Sequence, residues 1–324
     1  MLRASEHMAI KKSKLGSLEE IGRGGEGVVY RCRAQPDQVY KEFQPQVLAE
    51  VDEDALDRLI ALPSSLDKAS HQYLLARTAW PLAKVVEKGA PIGYTMPLIP
   101  GAFFVTHGVR AYPKTCECDW NKLAMRTTWL DNSNIVSGVP QVSGTQLLDL
   151  LMDLCKMVEL LHRMRLIIGD ISGRNMLWCL SPAPTVMMID NDGYRVEGMR
   201  GVTLPKQTPD WQDPYLGGAD TTHQSDLYKL SLAVLRGYLG SGIIKPEQVD
   251  TKDPAITRLV DFARRGTGPN NRPNASEWLT LLKGFRQQLV LAGRPVLQMP
   301  PIVTRPQPNV IESFFPKRPI IKFS

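Results

Sequence analysis

Apolar and polar positions alternate along the stretch SLEEIGRGGEGVVYRCRAQPDQVYKEFQP, from Ser17 to Pro45, interrupted by a cluster of glycines and then by Ala-Gln-Pro-Asp. A period of two with such breaks predicts strand, turn, strand, turn, strand. The period changes in VLAEVDEDALDRLIALPSSL, where Leu48, Val51, Ala55, Leu59 and Leu62 share one helical face. KVVEKGAPIGYTMPLIPG predicts a hairpin and an extended exit. Residues 102–143 are rich in Asn, Ser, Thr and Gly, hold no sustained period and read as an insertion or long loop. Downstream, TQLLDLLMDLCKMVELLHRM is strongly amphipathic, TVMMIDNDGYRV is a short strand, and SDLYKLSLAVLRGYL is an apolar helix. Further helices are expected over about 246–265 and 275–292. The order is a strand-rich first part followed by a helical second part, with no internal repeat.

Composition narrows the possibilities. The chain has 324 residues and is 43% apolar, enough to bury a sizeable core. No apolar run reaches bilayer length, and the start MLRASEHMAIKKSKLGS has no signal-peptide core, so a cytoplasmic protein with no membrane partner is expected. The five cysteines form no CxxC pair and have no histidines at ligand spacing, which suits a reducing compartment better than a disulfide framework or zinc site. The net charge of +6 resides in the ends: residues 1–14 carry four basic residues against one acid, and 293–324 carry five against one. The body is near neutral, so no nucleic-acid face is expected on it. The division is a basic tail over 1–16, a first lobe over 17–100, a second lobe over 101–292, and a proline-rich basic tail over 293–324. Seven of the 25 prolines lie in that last tail, whose apolar patches VIESFFP and IIKF suit docking on the body or on a partner.

Three stretches carry candidate chemistry. IGRGGEGVV places Gly22, Gly24, Gly25 and Gly27 before Val29, and such a turn lets backbone N–H groups approach phosphates without side-chain obstruction. The β-branched VVYRCRA that follows makes it a strand–strand loop rather than the strand–helix turn of dinucleotide folds. Lys41 lies on the next strand between Val39 and Phe43, as either an exposed lysine or a fixed cation for phosphates. LIIGDISGRNMLW ends an apolar run on Asp170, with Asn175 five residues on, and MMIDND ends another on Asp190. A lone acid at a strand end is usually a turn residue or a cap. The ordered set is harder to produce by chance.

That set resembles the protein-kinase family: Gly22, Gly24 and Gly27 as G-x-G-x-x-G-x-V, Lys41 as the phosphate lysine, Asp170 and Asn175 as the D-x-x-x-x-N of the catalytic loop, and Asp190 as the first residue of D-F-G. SDLYKLSLAVLRGYL resembles the SDVWSLG helix, with Asp226 bracing the catalytic loop, and NNRPNASEWL resembles the late RP segment, with Arg272 in the structural arginine's place. The resemblance spans about Ser17 to Leu289. It implies an α+β, two-lobed protein kinase-like fold, a small antiparallel-sheet N-lobe plus one helix and a larger mainly helical C-lobe. It further implies ATP and Mg²⁺ as cofactors and a protein substrate phosphorylated on Ser or Thr. Asp170 is then the catalytic base, Asn175 and Asp190 are metal ligands, and Met96, Pro97 and Ile99 of TMPLIPG line the adenine site.

Several positions depart from the family pattern. Ile168 and Gly169 replace the His-Arg before the catalytic aspartate. Ser172 stands where a lysine commonly contacts the γ-phosphate, leaving Arg174 as the candidate for that contact. DND replaces D-F-G, making Asp192 a second ligand or a decoy. DPY replaces A-P-E, so Arg272 lacks its usual glutamate, with Asp210 and Asp213 as substitutes. The acid partner of Lys41 is one of Glu50, Asp52, Glu53 and Asp57. These departures keep two alternatives in view, a pseudokinase that binds nucleotide without turnover and a small-molecule phosphotransferase.

Overall fold

The computed structural model describes residues 9–126, 134–205, 207–217 and 220–291. The protein is α+β. Its described residues divide into two compact units, one of residues 9–101 with 188–205, the other of residues 102–187 with those from 207 onward.

The first unit contains β1 (Ala9–Lys11), β2 (Leu18–Arg23), β3 (Gly27–Cys32), β4 (Gln35–Phe43), α1 (Pro45–Leu48), α2 (Glu53–Ala61), α3 (Lys68–Arg77), β5 (Ala83–Glu87) and β6 (Ala90–Pro97). The six strands form one sheet in the order β1-β5-β6-β4-β3-β2. Adjacent pairs are antiparallel except β1 with β5, which run parallel. Three expectations are corrected here. The sheet is mixed, not antiparallel throughout, because β1 runs parallel to β5. Residues 9–15 are not tail: Leu15 is fully buried with Cys32, Tyr40 and Val85, Ile10 packs on the same cluster, and Lys12 pairs with Glu42 at 3.0 Å. The expected single helix is interrupted as well. The chain tightens into a 3-10 turn at Leu62–Ser65, which contains Pro63, and Asp67 then accepts from the Ala69 and Ser70 N–H groups at 3.0 Å to start α3.

The pleat separates apolar from charged chemistry. Tyr40 and Val85 belong to the apolar cluster, whereas their neighbours Lys41 and Lys84 project from the opposite face. Lys41 and Lys84 are both in register with Tyr94 on β6, so the three side chains form one row across β4, β6 and β5. The strands close tightly at Gly93, where a Cβ would lie 2.1 Å from the Lys41 carbonyl oxygen; only glycine fits.

The second unit contains β7 (Phe104–Val109), β8 (Lys114–Glu117), α4 (Trp120–Ala124), β9 (Ile135–Ser137), α5 (Gly144–Arg163), β10 (Met176–Cys179), β11 (Thr185–Met188), α6 (His223–Leu239), α7 (Pro254–Thr267) and α8 (Ala275–Leu291); β11 ends where the chain re-enters the first unit. The described part of 102–143 is not irregular. It holds α4 and the antiparallel sheet β8-β7-β9, with a turn at Arg110–Pro113 between the first two strands. Ser143 and Gln146 form a reciprocal cap on α5, and Thr222 and Ser225 do the same on α6. Helix α5 packs on α6 and α8, and α6 packs on α4 and α7. Buried indoles join these layers: Trp120 Nε1 donates to the Ala233 carbonyl at 3.0 Å, and Trp278 Nε1 donates to Ser231 Oγ at 3.2 Å. Among the described residues no helix is long and apolar enough to cross a membrane. The segment 293–324, read as a docking tail, lies outside the described residues.

Of the two acids expected as partners of Arg272, Asp213 fills the place and Asp210 does not. Both guanidinium NH groups reach the Asp213 carboxylate, with Arg272 Nη2 to Oδ1 at 3.0 Å, and Arg272 also donates to the Gln224 and Gly268 carbonyls at 2.7 Å. Both side chains are buried. Asp213→Ala strands the cation in the interior and is expected to cost about 3–5 kcal/mol. Thermal unfolding of the full chain checks this, with an unchanged midpoint as the contrary result.

Candidate functional site

Two clusters of chemistry-bearing side chains form, one within each unit. In the first unit the β2–β3 hairpin presents Gly24 and Gly25 to solvent. Its tip is closed by Gly24 N–H donating to the Gly27 carbonyl at 2.8 Å, and the Gln44 and Gln46 side chains tie the Gly24 and Gly25 carbonyls at 3.4 Å. Gly22 pairs with Val29 beside a bulge. Gly27 is buried, and a Cβ there would lie 2.6 Å from the Glu42 carbonyl oxygen and 3.1 Å from Lys41 Cγ, so the hairpin packs against β4 because that glycine has no side chain.

Directly in register with Val29, Lys41 is almost wholly buried. Its ammonium lies 2.9 Å from both carboxylate oxygens of Asp192, 3.4 Å from Asp190 Oδ1 and 3.5 Å from Glu26. Burial is the largest single influence on this amine and favours its neutral form. The Asp192, Asp190 and Glu26 charges outweigh it and hold the pKa well above the ordinary lysine value. The cationic form of Lys41 is therefore favoured, on a strand paired on both sides. The two aspartates differ sharply in setting. The Asp192 side chain is 0% exposed with both oxygens on Lys41, whereas that of Asp190 is 41% exposed. Asp190 also adopts the left-handed conformation, φ +57°, which ends the strand abruptly and turns the chain. Between them Asn191 is fully buried, and its side-chain amide has no hydrogen-bond partner among the described residues.

None of the four acids considered as the partner of Lys41 fills that place. Asp52 caps α2 through the Ala55 N–H at 2.8 Å, and Glu50 is exposed. Glu53 and Asp57 both bind Lys84 Nζ, at 2.6 and 2.8 Å. The reason is lateral placement: α2 lies over β5, and Lys84 stands two strand spacings, roughly 10 Å, from Lys41. Met96 is buried and paired with Val39, Pro97 closes β6 opposite Gln38, and Ile99 follows half-buried.

In the second unit Asp170 ends the apolar run after α5, as the sequence suggests, and its carboxylate is surrounded by donors. Asn175 Nδ2 donates to Asp170 Oδ2 at 2.8 Å and to the Asp170 carbonyl at 3.1 Å. Thr208 donates twice, from Oγ1 to Oδ2 at 3.0 Å and from its backbone N–H to Oδ1 at 3.3 Å. Arg174 is half-buried in the same loop, and Ser172 is buried with its hydroxyl unpartnered among the described residues. The loop backbone is held from below. Asp226 is fully buried and accepts from the Ile168 and Gly169 N–H groups at 2.8 and 2.9 Å, with His162 Nε2 at 3.2 Å. Lys229, one turn along α6 and also fully buried, donates to the Gly169 carbonyl. Burial depresses its pKa, with Asp170 and Asp226 acting in the opposite sense.

Sequence reasoning singled out Asp226 but missed Lys229 and the contact of Thr208 with Asp170. Lys229 has a signal in retrospect: a lone cation in the apolar helix SDLYKLSLAV, three residues after an acid, is on the same face as that acid.

The donor chemistry suits a hard cation. Mg²⁺ takes oxygen ligands, usually one or two from protein with the rest from phosphate and water. In the first unit Asp190 offers a solvent-accessible carboxylate; in the second, Asn175, whose Nδ2 is turned to Asp170, has only its Oδ1 to offer. Asp192 is unsuited, since Lys41 takes both its oxygens. Among the described residues no group of three His, Cys, Asp or Glu side chains forms a self-sufficient metal site. A scan against protein-family models finds no match to the chain, and a search of curated proteins finds none either.

Proposed function

We propose that the protein is a two-lobed, protein kinase-like phosphotransferase that uses MgATP to phosphorylate Ser or Thr hydroxyls of a protein substrate. The observation that carries this reading is the meeting of Lys41 and Asp190, 149 residues apart in sequence, at 3.4 Å beneath a glycine hairpin. A buried cation and an accessible carboxylate beside a glycine hairpin suit a triphosphate and its metal.

In this reading Gly22, Gly24, Gly25 and Gly27 cover the phosphates, with Val29, Met96, Pro97 and Ile99 against the adenosine. Lys41 binds the α- and β-phosphates. Asp190 and Asn175 are the ligands for Mg²⁺, which, when bound, neutralises charge on the β- and γ-phosphates. Asp170 orients the acceptor hydroxyl and takes its proton as the oxygen attacks the γ-phosphorus and the bond to the β-phosphate oxygen breaks. The Thr208 hydroxyl on Asp170 supports the choice of acceptor, because it demonstrates a side-chain alcohol donating to that carboxylate. Arg174 is the candidate to neutralise the γ-phosphoryl group. The missing arginine before Asp170 removes the usual partner of an activation-segment phosphate, so activity is expected without prior phosphorylation of that segment.

The test is incubation of the full chain with γ-labelled ATP, Mg²⁺ and a protein mixture, followed by identification of the labelled residue. Label on Ser or Thr is expected. Label confined to a metabolite would favour the small-molecule phosphotransferase, and MgATP binding with no transfer would favour the pseudokinase.

A further inference from the structure

The row Lys41, Tyr94, Lys84 places two buried lysines on one face of the sheet, each with its own set of acids. Two of the three acids of α2 bind Lys84, Glu53 at 2.6 Å and Asp57 at 2.8 Å, and the third, Asp54, is exposed. Lys41 is held by a residue from another part of the chain, Asp192, which grips its ammonium with both oxygens at 2.9 Å and is itself 0% exposed. From this division of partners we propose that Asp192 is the positioning residue for Lys41, and that the α2 acids serve only to dock their helix on β5 through Lys84. The inference rests on the reading above, in which Lys41 contacts phosphate.

The lysine side chain is intrinsically mobile. Its stem has four rotatable bonds, and fixing it costs up to about 2 kcal/mol of rotamer entropy. Asp192 supplies that fixation before any ligand arrives. It is on the short turn Asn191–Gly193, packed in the same unit as β4, and cannot swing outward without exposing a buried carboxylate and unpairing a buried ammonium. An ammonium has three donors: two go to Asp192, and the third, on Asp190 Oδ1 at the longer distance of 3.4 Å, is the one a phosphate oxygen would take over. The Tyr94 ring lies 5.8 Å from Lys41 Nζ. The consequence is that the position of Lys41 is independent of α2.

The experiment compares the full-length wild type with Asp192→Asn, Lys84→Met and the double variant Glu53→Gln/Asp57→Asn. Two readouts are taken: the rate at which Lys41 is acylated by an amine-reactive ester in the absence of nucleotide, quantified against other lysines by mass spectrometry, and MgATP affinity by calorimetry with KM and kcat alongside. Asp192→Asn is expected to speed Lys41 acylation and weaken MgATP by roughly tenfold, the loss of one charged hydrogen-bonding partner, with KM rising more than kcat falls. Lys84→Met and the helix double variant are expected to leave both readouts within about twofold while lowering the unfolding temperature. The proposal is overturned if Asp192→Asn changes neither readout, or if Lys84→Met or the helix double variant changes Lys41 acylation and MgATP affinity together. The second of these holds even if Asp192→Asn fails to fold. A wild type that binds no MgATP would remove the phosphate reading itself, while acylation would still separate Asp192 from the α2 acids as the group that fixes Lys41.

Discussion

Asp170→Asn is expected to slow phosphoryl transfer by about 10²–10⁴-fold, the usual contribution of a positioned general base. The substitution keeps shape and removes the charge and the ability to take a proton; with the amide oxygen in the Oδ2 position the Thr208 Oγ1 and Asn175 contacts at 3.0 and 2.8 Å are kept, and the Thr208 N–H, 3.3 Å from Oδ1, loses its acceptor. MgATP affinity is expected to stay within about threefold, because Lys41 and Asp190 are untouched and Asn175 Nδ2 keeps an oxygen to donate to. Loss of kcat with a preserved KM for ATP separates a chemical role from a structural one. Undiminished transfer would reject Asp170 as the base.

Asp226→Ala is expected to give the largest combined loss of stability and turnover. Its carboxylate is the acceptor for two consecutive backbone N–H groups, those of Ile168 and Gly169, and it is 0% exposed. Truncation strands both donors and leaves the Lys229 ammonium with one less compensating charge. A cost of about 3 kcal/mol or more follows, which corresponds to a fall of roughly 6–12 °C in the unfolding midpoint for a domain of this size. Because these two peptide groups immediately precede Asp170, turnover is expected to fall by more than the loss of folded protein accounts for. Circular dichroism melts with activity per folded molecule check both. Asp226→Asn, which keeps one acceptor oxygen, is expected to lie between wild type and alanine.

The sequence revealed elements better than partners. The alternation around the glycines foretold β2 to β4, and the apolar spacing foretold α5 and α6, because each pattern is local and its period is set by the backbone. The strand β1 was not foreseen, since three residues amid lysines carry no measurable period; Leu15 becomes core only once β5 is alongside. The sheet β8-β7-β9 was hidden by a polar composition, although Val105 and Val109 flank His107 with the alternation of a strand. The partner of Lys41 was unreadable for a different reason. Helical phase fixes which way Glu53 and Asp57 point, but not which of two lysines on the sheet lies beneath them. That depends on where α2 sits across the strands, a tertiary fact. Asp192 could be named as an ambiguous neighbour of Asp190, yet its burial and its grip on Lys41 required the fold. Asp213 was one of two candidates for Arg272, and only packing chose between them.

The account stands on the binding of a nucleotide triphosphate with its metal by Lys41 and Asp190, and calorimetric titration of the full-length protein with ATP, with and without Mg²⁺, tests it most directly. Saturable binding that requires Mg²⁺, is lost in Lys41→Met and loses its metal dependence in Asp190→Asn is the predicted result. No saturable binding at millimolar MgATP, or equal binding with the metal chelated, would contradict it.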